Sequence, residues 1–524
     1  MATKFRSKKK SRSRRYLTIA KPSGSLHPRV QKVGPEHFGI VAVDCAKARS
    51  KWMLADFYGH ILIPPTVVEH SKRGFDSATT EIRRAMDRHR LGDVIVAIER
   101  TGIYHLPVKR AFSSKKFETR IVHPLTTRQY RLPADPGNKT DDTDLCAIHR
   151  ATTNGFGLIE AQLDEVHGSL RLLARHRRYL VRKNASLRNQ IIALLDVFLP
   201  GYTHLFPDIF ENQAALAIAR NVTSAAEIRK LGAEGLAQIL KRLKVRYQCR
   251  TLERVLAWAN RTEGLIECAS MYKMICVSLD DERCARLGQI ADVERQMAGF
   301  LVRTPYVVLL SISGVAIVTA GEFAGEMGPI TSYASDEAIT GRAGIYPSRY
   351  QSDKVDRSDG PLVRRANRKL RGVIMMIAGN LLNCNHFFQT LKDQWDAAGK
   401  DERAMCVRAA KRFCRIAYQM VAGGQVFRHP SCQGRDAILR KLSAFHAEHG
   451  TAMAQIMTDL QAAVDHIPKS EHTPEARSLF EAMQPSTRRQ QTGLRRLGEI
   501  LPVVLAKLGV TAVELNSKGE NDLT

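Results

Sequence analysis

Four acidic residues stand where metal-dependent phosphodiester chemistry would use them. Asp44 ends the apolar run Phe38-Gly-Ile-Val-Ala-Val-Asp44, and Glu99 ends a second, Asp93-Val-Ile-Val-Ala-Ile-Glu99. Asp141 and Asp144 lie three apart in Lys139-Thr-Asp-Asp-Thr-Asp144. Core packing does not account for a carboxylate at the end of a buried strand. Two-metal phosphoryl transfer needs hard oxygen ligands on a rigid frame, with the ions about 4 Å apart. Neighbouring strand ends would supply Asp44 and Glu99. Helix positions i and i+3 share a face and would supply Asp141 and Asp144. Asp142 is turned about 100° from Asp141 and reads as a solvated bystander. Mg²⁺ (or Mn²⁺) is the expected cofactor. Arg100 and Lys139, beside the acids, are candidates for holding the strand to be cut.

A second group of residues lies in Gly341-Arg-Ala-Gly-Ile-Tyr-Pro-Ser-Arg-Tyr-Gln-Ser-Asp-Lys354. Ser348 and Ser352 are its candidate nucleophiles, and a serine hydroxyl needs a base or a metal to activate it. Arg342, Arg349, Lys354, Arg364, Arg365, Arg368, Lys369 and Arg371 make the stretch dense enough in cations to hold a phosphate backbone. Just upstream, Leu310-Ser-Ile-Ser-Gly314 and the apolar run after it fit a helix–hairpin–helix, its second helix aimed at a phosphate. A buried helical hairpin fits the same residues.

The elements that must position these groups follow from hydrophobic periodicity. Strands are expected at Phe38–Asp44, Trp52–Tyr58, His60–Pro64, Asp93–Glu99 and Thr119–His123, with a hairpin through Gly59. Helices are expected at Phe75–His89 and Tyr104–Phe112, and a further helix carries Asp141 and Asp144. Three strands, helix, strand, helix, strand, helix is the order of an α/β ribonuclease-H-like domain. Residues about 160 to 199 keep apolar residues at steps of three and four, a heptad seam in which Arg177 and Asn184 would set register. A second helix at roughly 265 to 301 would be its antiparallel coiled-coil partner. Short helices lie between, one capped near Thr223 with Glu227 in its first turn. The expected organisation is a basic disordered tail (1–35), the metal-binding domain (36–157), a helical coiled-coil segment (158–303), a mainly α unit with the serines (304–424) and a helical extension (425–524).

A 524-residue chain holds several cores, and its net charge of +28 calls for a polyanionic partner. A membrane surface is a poorer match, since the chain shows no amphipathic anchor or lipidation signal. The ten cysteines are scattered singly, without zinc-ligand spacing, and read as reduced. With no signal peptide or apolar span in the reading, a cytoplasmic protein is expected.

The motifs Val-Ala-Val-Asp44, Ala-Ile-Glu99-Arg-Thr-Gly, Asn-Lys-Thr-Asp141-Asp-Thr-Asp144, Ile312-Ser-Gly-Val, Ala343-Gly-Ile-Tyr-Pro, Tyr350-Gln-Ser352 and Arg365-Ala-Asn-Arg-Lys-Leu-Arg371 resemble one family. It is the DEDD-type insertion-sequence transposases: the Piv/MooV invertases and the insertion sequence 110 family of bridge recombinases. The resemblance covers roughly residues 36 to 424. It implies a RuvC-like domain whose metal-binding tetrad matches Asp44, Glu99, Asp141 and Asp144, and a transposase domain whose nucleophilic serine matches Ser352. It further implies a phosphoserine link to DNA, assisted by metal-bound acids from another protomer. A structured noncoding RNA guide would pair with donor and target DNA, and dimers and tetramers would assemble through the coiled coil in a bacterial, nucleoid-associated setting. The family carries glycine after the serine, where this chain has Asp353. An acid beside an incoming phosphate is unfavourable unless it turns away or meets a cation, and Lys354 is adjacent. Two alternatives fit the same residues: a hydrolytic nuclease of the Holliday-junction-resolvase type, and a domesticated, non-catalytic nucleic-acid-binding protein.

Overall fold

Apolar alternation builds the first sheet. In the computed structural model, which describes residues 26–134, 137–160, 163–262, 267–352, 355–357, 360–364, 366–427 and 436–468, five strands run in the order β3-β2-β1-β4-β5. They are β1 (Phe38–Cys45), β2 (Arg49–Asp56), β3 (Ile61–Glu69), β4 (Asp93–Glu99) and β5 (Glu118–Val122). β2 is antiparallel to β1 and β3, while β1, β4 and β5 are parallel. Successive residues face opposite sides of a strand. Val41 and Val43 therefore enter one core with Phe75 and Ile82 of helix Lys72–Arg88. Ile40 and Ala42 enter the other with Leu145, Ile148 and Ala151 of helix Asp141–Thr153. Burial on both faces explains why β1 and β4 read as nearly unbroken apolar runs.

The expected basic tail is ordered at its end. Leu26 and Val30, one turn apart in helix Leu26–Val33, are buried against the sheet, and Arg29 pairs with Asp93 and Glu118. An apolar pair at helical spacing overrides the basic composition there; residues 1–25 lie outside the described residues.

The chain divides into two compact units, residues 1–162 and 163–524. In the second, helices Glu165–Phe198 and Ala269–Leu301 pack along each other. Leu170 and Ala174 share a core with Met297 and Leu301, and Leu195 and Phe198 share another with Cys276, so the pair is antiparallel. The first of these cores continues without a break into residues 306–345 and 370–427, across the division expected near residue 303. Between the long helices, the cap of helix Ala225–Arg242 is Ser224, which accepts from the Glu227 N–H, while Glu227 reaches back to Thr223.

Arg177 links three helices through ion pairs. Helix Ile317–Met327 carries Glu322 and Glu326, each only 1% exposed. Arg178 donates to Glu322 at 2.8 and 3.0 Å, and Arg177 bridges Glu322 at 3.4 Å and Glu294 at 2.5 Å. Arg175 donates to Glu326 at 2.8 and 3.0 Å. Removing one side of a buried ion pair strands the other. Glu322→Ala is expected to lower unfolding stability by about 3 kcal/mol, read by denaturant titration, and Arg178→Ala on that background to cost little more.

The residues around Gly314 form a buried hairpin whose first arm, Pro305–Ser311, is a 3₁₀ helix. Gly314 has φ +93°, and a Cβ there would lie 3.3 Å from the Asn380 carbonyl oxygen. Lys441, from helix Asp436–Glu448, donates to the carbonyls of Leu310 at 2.7 Å, Ile312 at 2.6 Å and Val315 at 3.0 Å. The hairpin's polar backbone is thus satisfied from the C-terminal extension. Lys441→Met is expected to cost about 2 kcal/mol by leaving three carbonyls short of a donor, read as a fall in melting temperature. Among the described residues no helix is long and apolar enough to cross a membrane.

Candidate active site

Strand parity brings two of the four acids together. Asp44 and Glu99 each follow the paired residues Val43 and Ile98 of parallel β1 and β4. Asp44 continues the face of Ile40 and Ala42, and Glu99 that of Ile95 and Ala97, the face covered by helix Asp141–Thr153. That helix begins at the acids. Thr140 caps it, accepting from the Thr143 N–H at 3.2 Å, while the Thr143 hydroxyl accepts from the Thr140 N–H at 3.0 Å. Carboxylates in a first turn are favoured by the helix dipole, which accounts for three acids there but not for burying one. Asp144 is 7% exposed; Asp141 and Asp142 are exposed.

The electrostatics report the crowding. Burial, then the charges of Asp141 and Asp144, hold the Asp44 carboxyl above its ordinary range. Burial, then Asp44 and Asp144, push Glu99 up to about 7. Asp44 thus feels Asp141 and Asp144, Glu99 feels Asp44 and Asp144, and a shared divalent charge is what would relieve the two strand-end carboxylates. The donor set, four carboxylates on strand ends and a helix, fits a hard cation. Among the described residues, however, no three His, Cys, Asp or Glu side chains stand as a ready-made metal cage. Two cations pair with carboxylates of this helix's first turn instead. Arg131 donates to Asp144 Oδ1, and Lys51, paired with Asp44 across β1 and β2, meets Asp142 at 2.7 Å.

Sequence reasoning missed Arg131, Lys51 and Thr127. Arg131 ends helix Pro124–Arg131, capped by the His123 side chain. Thr127, 1% exposed and one turn earlier on the same face, lies beside Glu99. The only early signal was Pro124, a good first residue for a helix. Arg100 and Lys139 are exposed.

The two serines separate clearly. Tyr346 to Val363 folds back on itself: the Val363 N–H donates to the Tyr346 carbonyl at 3.2 Å, and Pro347 bridges Leu362. Ser348 closes this base, with its N–H and hydroxyl both donating to the Pro361 carbonyl at 2.9 Å. Farther out, β6 (Tyr350–Ser352) pairs antiparallel with β7 (Val355–Arg357), ending on Ser352 opposite Val355. Ser352 is exposed. Asp353, Lys354 and Arg365 lie outside the described residues.

The basic stretch also divides by role. Arg371 donates to the Ala343 carbonyl at 2.8 Å and to that of Val363. Arg342 donates to the Met327 carbonyl at 3.1 Å and to the Tyr333 hydroxyl, and stacks over its ring. Their guanidinium groups brace the protein's own loops; Arg342 is also exposed and Arg371 half-buried. Gly344, at φ +65°, leaves Arg371 its place, since a Cβ there would stand 2.5 Å from the guanidinium. Arg349, Arg364, Arg368 and Lys369 are exposed. Partial burial, then the charges of Arg175, Arg178 and Arg182, opposed by Glu326, lower the Lys369 ammonium below its usual range.

Two family models match the chain. A DEDD transposase model of the IS110 group matches residues 41–200, and a model described as transposase of the IS116/IS110/IS902 family matches residues 306–393. A Streptomyces coelicolor protein, described as the uncharacterized 43.6 kDa protein of insertion element IS110, is 24% identical over 297 residues, covering 56% of this chain and 73% of the relative. The first match contains Asp44, Glu99, Asp141 and Asp144, the second contains Ser352, and the chain belongs to the IS110 family of insertion-sequence transposases.

Proposed function

We propose that this transposase is an RNA-guided, divalent-metal-dependent DNA recombinase with a RuvC-like first unit and a serine nucleophile in the second. The observation that carries the reading is that Asp44 and Glu99, at neighbouring strand ends, share the face covered by the helix that begins at Asp141 and Asp144, whose charges act on Asp44. The five-stranded sheet, in the order β3-β2-β1-β4-β5 with β2 antiparallel, supports the ribonuclease-H-like part of the reading. Asp44, Glu99, Asp141 and Asp144 would hold Mg²⁺ or Mn²⁺, and the bound ion would supply positive charge to offset the charge that develops on the phosphoryl oxygens. Ser352 Oγ attacks the phosphorus of a DNA phosphodiester and gives up its proton. The bond from phosphorus to the 3′ oxygen breaks, that oxygen gains a proton, and the 5′ phosphate remains esterified to serine. One ester replaces another, so a free 3′ hydroxyl on a new partner strand can reverse the step and join the DNA. Arg349, Arg364, Arg368 and Lys369 hold backbone near the serine, and Arg100 and Lys139 near the acids. The guide RNA, the pairing with donor and target DNA, and the dimeric or tetrameric assembly rest on the family resemblance.

The test is a reaction containing the full-length protein, Mg²⁺, the structured RNA from the element's noncoding flank and both DNA partners. A covalent DNA–protein species whose modified peptide contains Ser352 is the expected result. Hydrolytic nicks without an adduct would transfer the reading to a resolvase-type nuclease. Binding without cleavage in Mg²⁺ or Mn²⁺ would make the chain a binding protein.

A further inference from the structure

The acidic centre contains a competitor for its own ligand. Arg131 and Asp144 come from consecutive helices, Pro124–Arg131 and Asp141–Thr153. The guanidinium donates directly to Asp144 Oδ1, and the two side chains are only 13% and 10% exposed. Water and salt therefore screen this pair far less than a surface pair. A lone pair spent on a guanidinium is withheld from a second cation, and a full positive charge at contact distance opposes a divalent one. Lys51 is a useful contrast. It brings a similar charge into the neighbourhood but contacts Asp142, outside the four proposed ligands.

We propose that Arg131 is the resident counter-ion of the acidic centre: it holds Asp144 in the metal-free protein and must release that oxygen when the centre loads, so that Arg131 sets the affinity for metal. The proposal rests on reading Asp44, Glu99, Asp141 and Asp144 as metal ligands. Arg131 is a positioning residue on this account, since it acts through Asp144. It keeps an otherwise repulsive site folded while empty, at the expense of weaker metal binding.

The experiment titrates Mn²⁺ into the full-length protein and follows binding by calorimetry, with no nucleic acid present. Arg131→Gln is expected to bind Mn²⁺ about tenfold more tightly, one favourable charge contact released. Arg131→Lys retains the charge and is expected to stay within about threefold of the native value. Lys51→Gln is expected to change affinity less than about twofold. Unchanged or weaker binding in Arg131→Gln would overturn the proposal and make Arg131 a strut. So would an equal gain in Lys51→Gln, which would assign the effect to net charge. Melting curves of each variant establish that it is folded, and Arg131→Lys carries the test if Arg131→Gln is not: tightening beyond threefold there would also overturn the proposal, and native-like affinity supports it. Failure of the underlying reading looks different: the native protein would show no saturable Mn²⁺ binding, or binding would survive Asp44→Asn unchanged.

Discussion

Ser352→Ala is expected to eliminate the covalent DNA–protein species and to slow strand transfer by at least about 10⁴-fold, the scale of losing a nucleophile. The geometry makes the expectation specific to one hydroxyl. Ser348 donates to the Pro361 carbonyl and closes the base of the arm. Its removal should loosen the arm without removing the attacking group. Ser352 is exposed at the end of β6, which pairs with β7. A serine hydroxyl needs a base or a metal to activate it, which the metal-bound acids would supply. Gel separation under denaturing conditions distinguishes the adduct from a tight complex. DNA binding by Ser352→Ala should remain close to native, because the exposed cations are untouched. An adduct that persists in Ser352→Ala would exclude this nucleophile.

The parts of this site that were legible in the sequence are those whose chemistry contradicts their surroundings. Asp44 and Glu99 stand out because they end apolar strands, and the spacing of Asp141 and Asp144 is readable because helix geometry fixes it. Arg131 had no such contrast. Its helix, Pro124–Arg131, is eight residues long, lacks an apolar stripe and buries only Thr127, so nothing separates it from the surrounding basic loop. The arm carrying Ser352 was equally silent. Its paired strands are three residues each, shorter than the alternation needed to recognise a strand. Lys441 shows a different limit. The carbonyls it meets lie 126 to 131 residues earlier, and no local pattern encodes a contact at that range. Long apolar elements announce themselves; polar clamps between distant elements depend on tertiary packing that periodicity does not carry.

Asp44→Asn should separate activity from stability. Loss of one anionic ligand is expected to reduce strand transfer by about 10³-fold in Mg²⁺, several kcal/mol of transition-state stabilisation. The same change should raise the stability of the metal-free protein by about 1 kcal/mol, because the site stores repulsion when empty. Asp44 is held above its ordinary range by burial and by the charges of Asp141 and Asp144, so its ionised form is disfavoured in the fold. A neutral amide of nearly the same shape removes that penalty. Asp142→Asn provides the contrast: Asp142 is exposed and paired with Lys51, and its replacement should leave strand transfer within about threefold. Melting curves in chelator and strand-transfer rates in Mg²⁺ read the two effects on the same preparations. If Asp44→Asn were inactive and also less stable without metal, Asp44 would be a structural strand cap. Opposite signs are the mark of a carboxylate kept for function, since a residue retained for folding has no reason to oppose it.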